Sequence, residues 1–368
     1  GLKKLYGYSQ DEFVAIRGSN LLETSFYENI KEEWEKCIND KQSVAYQAQA
    51  SHKKGHVIWT QTTLTPIINK KGEVEKVIAI DVDITKLKQA EEKIVAQREL
   101  LKKHLEELEK KNMLITQSID YAKKIQEAVL PSNDILSNYF SSSFVLFLPK
   151  DIVSGDFYWV YKNNENIVIA CVDCTGHGVP GAFMSIIGNS LLNEIVKEKN
   201  ITSPAAILME MNSHIINVLK QDKGLDVVQE EGMEASICTI NFEKNEILFA
   251  GANQSILIKR NQEFELIKGD LFSIGGTFSI RSNCFFLEHK FNITETEALY
   301  LYSDGYQDQF GGELNRKFMA DNFKDLLISI SSETSDMQKY KLIDVFNAWK
   351  MDNKQTDDVL VIGIRLST

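Results

Sequence analysis

The chain reads as an α+β protein: a sandwich of β-sheets with helices outside it, joined by a long helix to a smaller mixed domain. Three observations predict this. Residues beyond 140 hold many short apolar runs with few helical patterns between them, which favours sheets packed face to face. Residues 85–129 contain neither Gly nor Pro and place an apolar residue at every seventh position. Residues 44–83 alternate apolar and polar side chains, as half-exposed strands do.

The first region, residues 1–84, has an amphipathic helical stretch at 28–39, then the strand-like segments Val44–Ser51, 56–66 and Val74–Asp83. Asn69-Lys70-Lys71-Gly72 reads as a hairpin connection between the last two. In the second region, residues 85–130, Leu87, Ile94, Leu101, Leu108, Ile115, Ala122 and Val129 form an unbroken apolar row. A sustained seven-residue period implies a left-handed supercoil of two or more helices. The row three positions later (Ala90, Gln97, His104, Lys111, Ser118, Ile125) is largely polar, so a coil of moderate stability is expected. A solvated helix packed on its own domain is the alternative. If helical throughout, the segment is about 70 Å long at about 1.5 Å per residue, the reach of a connector.

The third region, residues 131–368, has strand-like runs at 144–148, 167–172, 235–240, 247–250, 256–259, 298–302 and 359–366. Helical patterns fall at 181–199, 204–221, 318–330 and 337–350, and Ser203-Pro204 supplies a cap followed by proline at the first helical position.

Composition narrows the class. An apolar fraction of 43% and a charged fraction of 25% are those of a soluble globular protein. A net charge of -11 argues against nucleic acid or an anionic membrane as the main partner, and no apolar run reaches bilayer-spanning length. Five cysteines, odd in number and mostly in apolar strand-like contexts, predict a reducing, cytoplasmic setting. Cys171 and Cys174 are spaced as C-x-x-C, but no second pair completes a zinc site and Cys171 belongs to a buried run; packing is the expected role.

The chemistry concentrates in acidic residues. Asp173 follows the uninterrupted apolar run 167–172 and opens the loop Asp173-Cys174-Thr175-Gly176-His177-Gly178. Asp156 (in Ser154-Gly155-Asp156), Asp304 (in Ser303-Asp304-Gly305) and the pair Asp357-Asp358 stand at comparable strand–loop junctions. One Asp before Gly is an ordinary turn former. Several carboxylates gathered at strand ends repel one another unless a cation lies between them, and hard divalent ions prefer such oxygen ligands. Two ions about 3.5–4 Å apart activate a water and neutralise a phosphate.

Gly155-Asp156-Phe157-Tyr158, Asp173 to Gly178, Ser303-Asp304-Gly305 and Asp357-Asp358 resemble, in order and spacing, the metal-binding motifs of the PPM metal-dependent protein phosphatases. The likeness is greatest to the bacterial SpoIIE/RsbU-like branch and covers about residues 115–368. It implies a phosphoprotein Ser/Thr phosphatase with two Mn²⁺ or Mg²⁺ ions on a β-sandwich flanked by helices. It further implies that Asp173 bridges the ions and acts catalytically with Asp156. The Cys174 backbone carbonyl, Asp156, Asp304 and Asp357 would complete the ligand shells. Asp358 is the alternative to Asp357, because neighbouring residues in a strand face opposite sides. Leu360 stands where the family usually has Thr, which is expected to change packing and not metal binding.

Gly176 and Gly178 are expected to let the backbone pass close to the metals, and His177 to hydrogen-bond loop backbone, with a role as general acid or as a residue that orients the metal ligands as the alternative. Glu234 reads as a solvated residue, with a further acidic contact at the site as the alternative, and Lys150 as a candidate for gripping the substrate phosphate. None of the five cysteines is followed six residues on by Arg, which excludes cysteine-dependent phosphatase chemistry.

Gly7-Tyr8-Ser9-Gln10-Asp11-Glu12-Phe13, His56-Val57-Ile58-Trp59 and Asp81-Val82-Asp83-Ile84-Thr85-Lys86 resemble the opening helix and last strands of a PAS sensor domain, whose first two strands would lie before Gly7. The segment 121–131 is similar to the linker helix of the stress-response phosphatases, where helix position governs metal binding. That likeness implies a regulatory role for Ile125 and Val129 in a parallel homodimer. It also implies a phosphoprotein substrate such as an anti-sigma factor antagonist. The rival reading is a catalytically silent sensor-scaffold that binds a phosphoprotein; a kinase or cyclase output lacks a nucleotide-binding glycine pattern.

Overall fold

The computed structural model describes residues 1–17, 30–132, 134–221, 231–260, 262–276 and 285–366. It divides into two compact units, Gly1–Asn112 and Met113–Thr368.

In the first unit, helices α1 (Leu2–Leu5), α2 (Gln10–Arg17) and α3 (Ile30–Asn39) accompany an antiparallel sheet in the order β1 (Val44–Ser51), β2 (Val57–Ile68), β3 (Val74–Asp83). The expected hairpin forms because Asn69 turns its side-chain oxygen onto the Lys71 and Glu73 N–H groups at 2.9 and 3.0 Å. Gly72 takes the positive φ of 79° that the turn requires. Tyr6, Ala50 and Ile58 make a small core.

Helix α4 (Thr85–Val129) is continuous for 45 residues and spans the boundary between the units. Its start is capped by Asp83, which accepts the Thr85 N–H at 2.9 Å. Among the described residues no helix is long and apolar enough to cross a membrane.

The second unit stacks helices, sheet, sheet and helices. One sheet runs β10 (Glu263–Ile267), β9 (Ile256–Arg260), β13 (Thr296–Tyr302), β16 (Val359–Arg365), β4 (Ser142–Leu148). The other runs β12 (His289–Asn292), β8 (Glu246–Ala252), β7 (Gly232–Asn241), β6 (Asn166–Cys174), β5 (Phe157–Asn163), with β11 (Ile274–Gly275) beside β7. Neighbouring strands are antiparallel throughout, as are the short β14 (Phe310–Gly311) and β15 (Arg316–Lys317), which pair with each other apart from both sheets. In β6, Ile167, Ile169 and Cys171 enter the core between the sheets, where Leu299, Leu301, Leu360 and Ile362 meet them. The alternate residues Val168, Ala170, Val172 and Cys174 face α5 (Gly178–Leu192) and α6 (Pro204–Val218). Helices Ala320–Ile330 and Ser335–Lys350 cover the first sheet through Phe323, Leu327, Leu342 and Phe346.

Ser203 caps α6 by accepting the Ala206 N–H, with Pro204 at the first position, as its sequence predicts. The pattern read as one helix at 181–199 is α5 followed by a π-helical turn, Asn193–Glu198. Strand β5 escaped the sequence reading because it does not alternate. Phe157 and Trp159 pack under the helices, Tyr158 and Val160 between the sheets, and all four are buried. Leu360 joins the core between the sheets. Cys284 lies outside the described residues.

Candidate active site

Strand direction gathers the acidic residues at one end of the sandwich. β5 begins as β6 ends, with Phe157 opposite Val172, so Asp156 and Asp173 leave one sheet together. β13 ends as β16 begins, with Tyr302 opposite Val361, so Asp304 and the Asp357-Asp358 pair leave the other. Asp173 shares the strand parity of Ile169 and Cys171, and Asp156 that of Tyr158, which turns both side chains toward the gap between the sheets. The sheets meet there: Ser303 Oγ donates to Asp156 Oδ2 at 2.5 Å and accepts the Leu360 N–H at 3.1 Å.

Burial sets the electrostatics. It pushes the Asp156 carboxyl well above its ordinary value, opposed by hydrogen bonds from Ser303 and Asp173 and reinforced by the charges of Asp358 and Asp357. Burial does the same to Asp173, followed by the charges of Asp156, Asp304, Asp357 and Glu234. Asp304 is raised to about 6 by burial, then by Asp308, Asp357 and Glu234. Burial and mutual repulsion thus disfavour the ionised forms of these carboxyls, and a cation placed among them would favour those forms.

The structure gives the two members of the Asp357-Asp358 pair different work. Asp358, 3% exposed, accepts the Lys150 N–H at 2.7 Å and the Gly155 N–H at 2.8 Å. Both its oxygens therefore hold the segment that crosses from β4 to β5. Asp357 is the charge felt by Asp173 and Asp304. Lys150 is held by its backbone here.

The glycines are forced by close backbone approach. A Cβ on Gly155 would lie 2.7 Å from the Gly176 carbonyl oxygen and 3.1 Å from that of Cys174. The Cys174 carbonyl is thus brought against the loop that carries Asp156. Gly176 and Gly178 have φ of 85° and 65°, where other residues are strained. The thiols of Cys171 and Cys174 lie in different cores on opposite faces of β6, and burial raises both far above the usual range. Strand alternation, not redox chemistry, accounts for the C-x-x-C spacing.

Two residues differ from the first expectation. His177 pairs with a carboxylate in place of loop backbone: its Nδ1 lies 2.8 Å from Asp151 Oδ2. Glu234 is half-buried and takes the alternative place, an acidic neighbour of the site: it sits opposite Asp173 across β6–β7, hydrogen-bonds Asn253, and is raised by burial.

At the end of α4, Ile125 and Val129 remain exposed, while Gln126 is buried. Gln126 Nε2 donates to the Ser154 carbonyl at 2.7 Å and to Ser185 Oγ at 2.8 Å, and its Oε1 accepts the Ser154 N–H at 3.2 Å. A polar residue inside a polar helix carries no sequence signal for such a role. A cleft of ≈ 350 Å³ lined by Lys123, Leu130, Phe147, Ile152 and Tyr158 opens beside this joint.

Among the described residues no three His, Cys, Asp or Glu side chains form a closed ligand set as they stand. The donor chemistry nonetheless fits a hard cation: buried carboxylates at one place, a backbone carbonyl against them, and thiols facing elsewhere.

Sandwich and acidic end together define a class, the PP2C-type serine phosphatases. The chain belongs to the stage II sporulation protein E (SpoIIE) family, whose model matches residues 163–367; a PAS fold matches residues 1–81. It is similar in structure to the SiaA PP2C domain of Pseudomonas aeruginosa, at 27% identity and a TM-score of 0.61 over 69% of this chain and 98% of that one. The PP2C domain and regulatory fragment of SpoIIE from Bacillus subtilis matches at 17% identity and a TM-score of 0.49 over 61% of this chain and 62% of that one. No curated protein matches the chain.

Proposed function

We propose that the chain hydrolyses phosphoserine or phosphothreonine on a protein substrate, using two Mn²⁺ or Mg²⁺ ions. The reading is carried by one observation: Asp156, Asp173, Asp304 and Asp357 gather, mutually repelling, at one end of a PP2C sandwich, with Asp156 buried, Asp173 and Asp304 half-buried and Asp357 open to solvent. Asp173, which feels the charges of four neighbouring carboxylates, would be the central residue holding the ions. Asp156, Asp304, Asp357 and the Cys174 carbonyl complete the shells. When bound, the ions supply a water ionised near neutral pH and neutralise the substrate phosphate. Ser303 orients Asp156, and Asp358 fixes the segment that brings it in. Lys150, on that segment, assists phosphate binding.

In this reading residues 1–84 sense, 85–130 transmit and 131–368 catalyse, within a cytoplasmic parallel homodimer joined along α4. Gln126, joining α4 to Ser154 two residues before Asp156, is the link from helix to site. Ile125 and Val129 lie on the exposed side of the same turn. A phosphorylated anti-sigma factor antagonist is the substrate class proposed. The test is hydrolysis of an aryl phosphate and a phosphoserine peptide with and without Mn²⁺. Activity should require the metal, and Asp173→Asn should lower it by about a thousandfold, roughly 4 kcal/mol of transition-state stabilisation. Metal-independent activity, or an active Asp173→Asn, would defeat the proposal.

A further inference from the structure

We propose that Leu271, Phe285 and Leu287 form a docking ridge beside the acidic end. The ridge selects phosphoproteins that carry apolar side chains close to the phosphoserine. The inference rests on the phosphatase reading above and deepens it to a substrate class. Two stretches of chain build the ridge. Asp270 Oδ2 accepts the Leu287 N–H at 2.7 Å, and the rings of Phe272 and Phe286 lie 5.0 Å apart. These contacts set residues 270–272 and 285–287 side by side. Their side chains then divide. Phe286 is buried and Phe272 half-buried against the core beneath α5 and α6. The residues next to them in the chain turn outward: Leu271 is 87% exposed, Phe285 69% and Leu287 60%. A lone exposed leucine is ordinary, but three large apolar side chains on one fixed ridge mark an interaction surface.

An unbroken run of contacts leads from the ridge to the acidic end. The Asp270 carbonyl accepts the Asn253 N–H at 2.8 Å, and Asn253 Nδ2 donates to Glu234 Oε1 at 2.5 Å. Glu234 stands opposite Asp173 in the β6–β7 pairing, and Ser273, two residues after Leu271, also hydrogen-bonds it. Its charge is felt by both Asp173 and Asp304. A protein that brings its phosphoserine to these carboxylates therefore lays the residues around that serine against the ridge. An extended chain advances about 3.3 Å per residue, so three residues on either side cover about 10 Å. Charge does not supply the attraction there. Residues 268–276 and 285–288 carry one cation, Lys268, against Asp270 and Glu288. What the ridge offers a substrate is removal of apolar surface from water.

The experiment measures kcat/KM of the full chain in Mn²⁺ on two phosphoserine peptides. They differ only in carrying Leu or Ser at the second and third positions on each side of the phosphoserine. The wild type should prefer the Leu peptide by about 10-fold, chiefly through KM, since burying one leucine is a gain of that order. Leu271→Ser combined with Leu287→Ser should reduce the preference to about 2-fold, whereas Leu271→Met combined with Leu287→Met should keep it. Both positions are exposed, so the substitutions leave the core untouched. A wild type that hydrolyses both peptides alike, or a double serine variant that keeps the full preference, would overturn this proposal alone. A wild type inactive on both peptides would overturn the phosphatase reading and this proposal with it.

Discussion

At one end of the sandwich, polar groups are buried: Asp156 is 2% exposed and Asp358 3%. Along α4 the reverse holds, with Leu101 and Leu108 exposed at 60% and 55%. Burial costs the first region charge solvation, and exposure costs the second the hydrophobic gain its sequence offers. The first is made tolerable by hydrogen bonds where geometry permits, as at Asp358, and by proton uptake where it does not, as at Asp173. The second has no such internal remedy, because the apolar row of a single helix cannot fold back on itself. Buried carboxylates answer to cations and pH, whereas an exposed heptad row answers to another helix.

The comparison is broken most sharply at α4. Replacing Leu101 and Leu108 together by Asp should convert a dimer to a monomer in sedimentation equilibrium, weakening association by more than about a thousandfold. A wild type that sediments as a monomer would make the row a solvated face. Next in size is Gln126→Leu, which strands the Ser154 N–H and carbonyl and the Ser185 hydroxyl. Urea unfolding of the second unit should lose about 2–3 kcal/mol, with faster amide exchange at Ser154.

The smallest effect separates the acidic end by pH. Asp304 titrates at about 6 in the folded chain against an ordinary 3.8, so between those values the native state holds a proton that the unfolded state has released. Metal-free stability should therefore fall as pH rises from about 4 to 6, with Asp173 and Asp156 extending the decline upward. Asp304→Asn should flatten the lower part of that slope in thermal melts, and Mn²⁺ should stabilise most at the high-pH end. A pH-independent melt would contradict the burial described.

Much of the candidate site is legible in the sequence because its parts announce themselves locally. Asp173 at the end of an unbroken apolar run and Asp304 before Gly305 are visible one motif at a time, and so is the heptad row. What stayed hidden depends on residues far apart in the chain. Asp357 and Asp358 are indistinguishable in sequence, and are separated by the backbone N–H groups of Lys150 and Gly155, about 200 positions away. Gln126 looked like any solvated residue of a charged helix, Glu234 like a surface acid, and His177 like a loop residue without a side-chain partner. Strand β5 was missed because two different layers bury its two faces, which erases the alternation that marks a strand.

The sequence by itself determined the strand and helix periods, the acidic residue types at strand ends, and the glycines that let backbones meet. These are properties of neighbours, written in spacing and residue type. Only the tertiary structure decided which carboxylate faces the cluster, which thiol faces which core, and which polar side chain of α4 is buried. Those outcomes turn on strand parity and on hydrogen bonds between segments brought together by the packing of two sheets, and local spacing does not encode them.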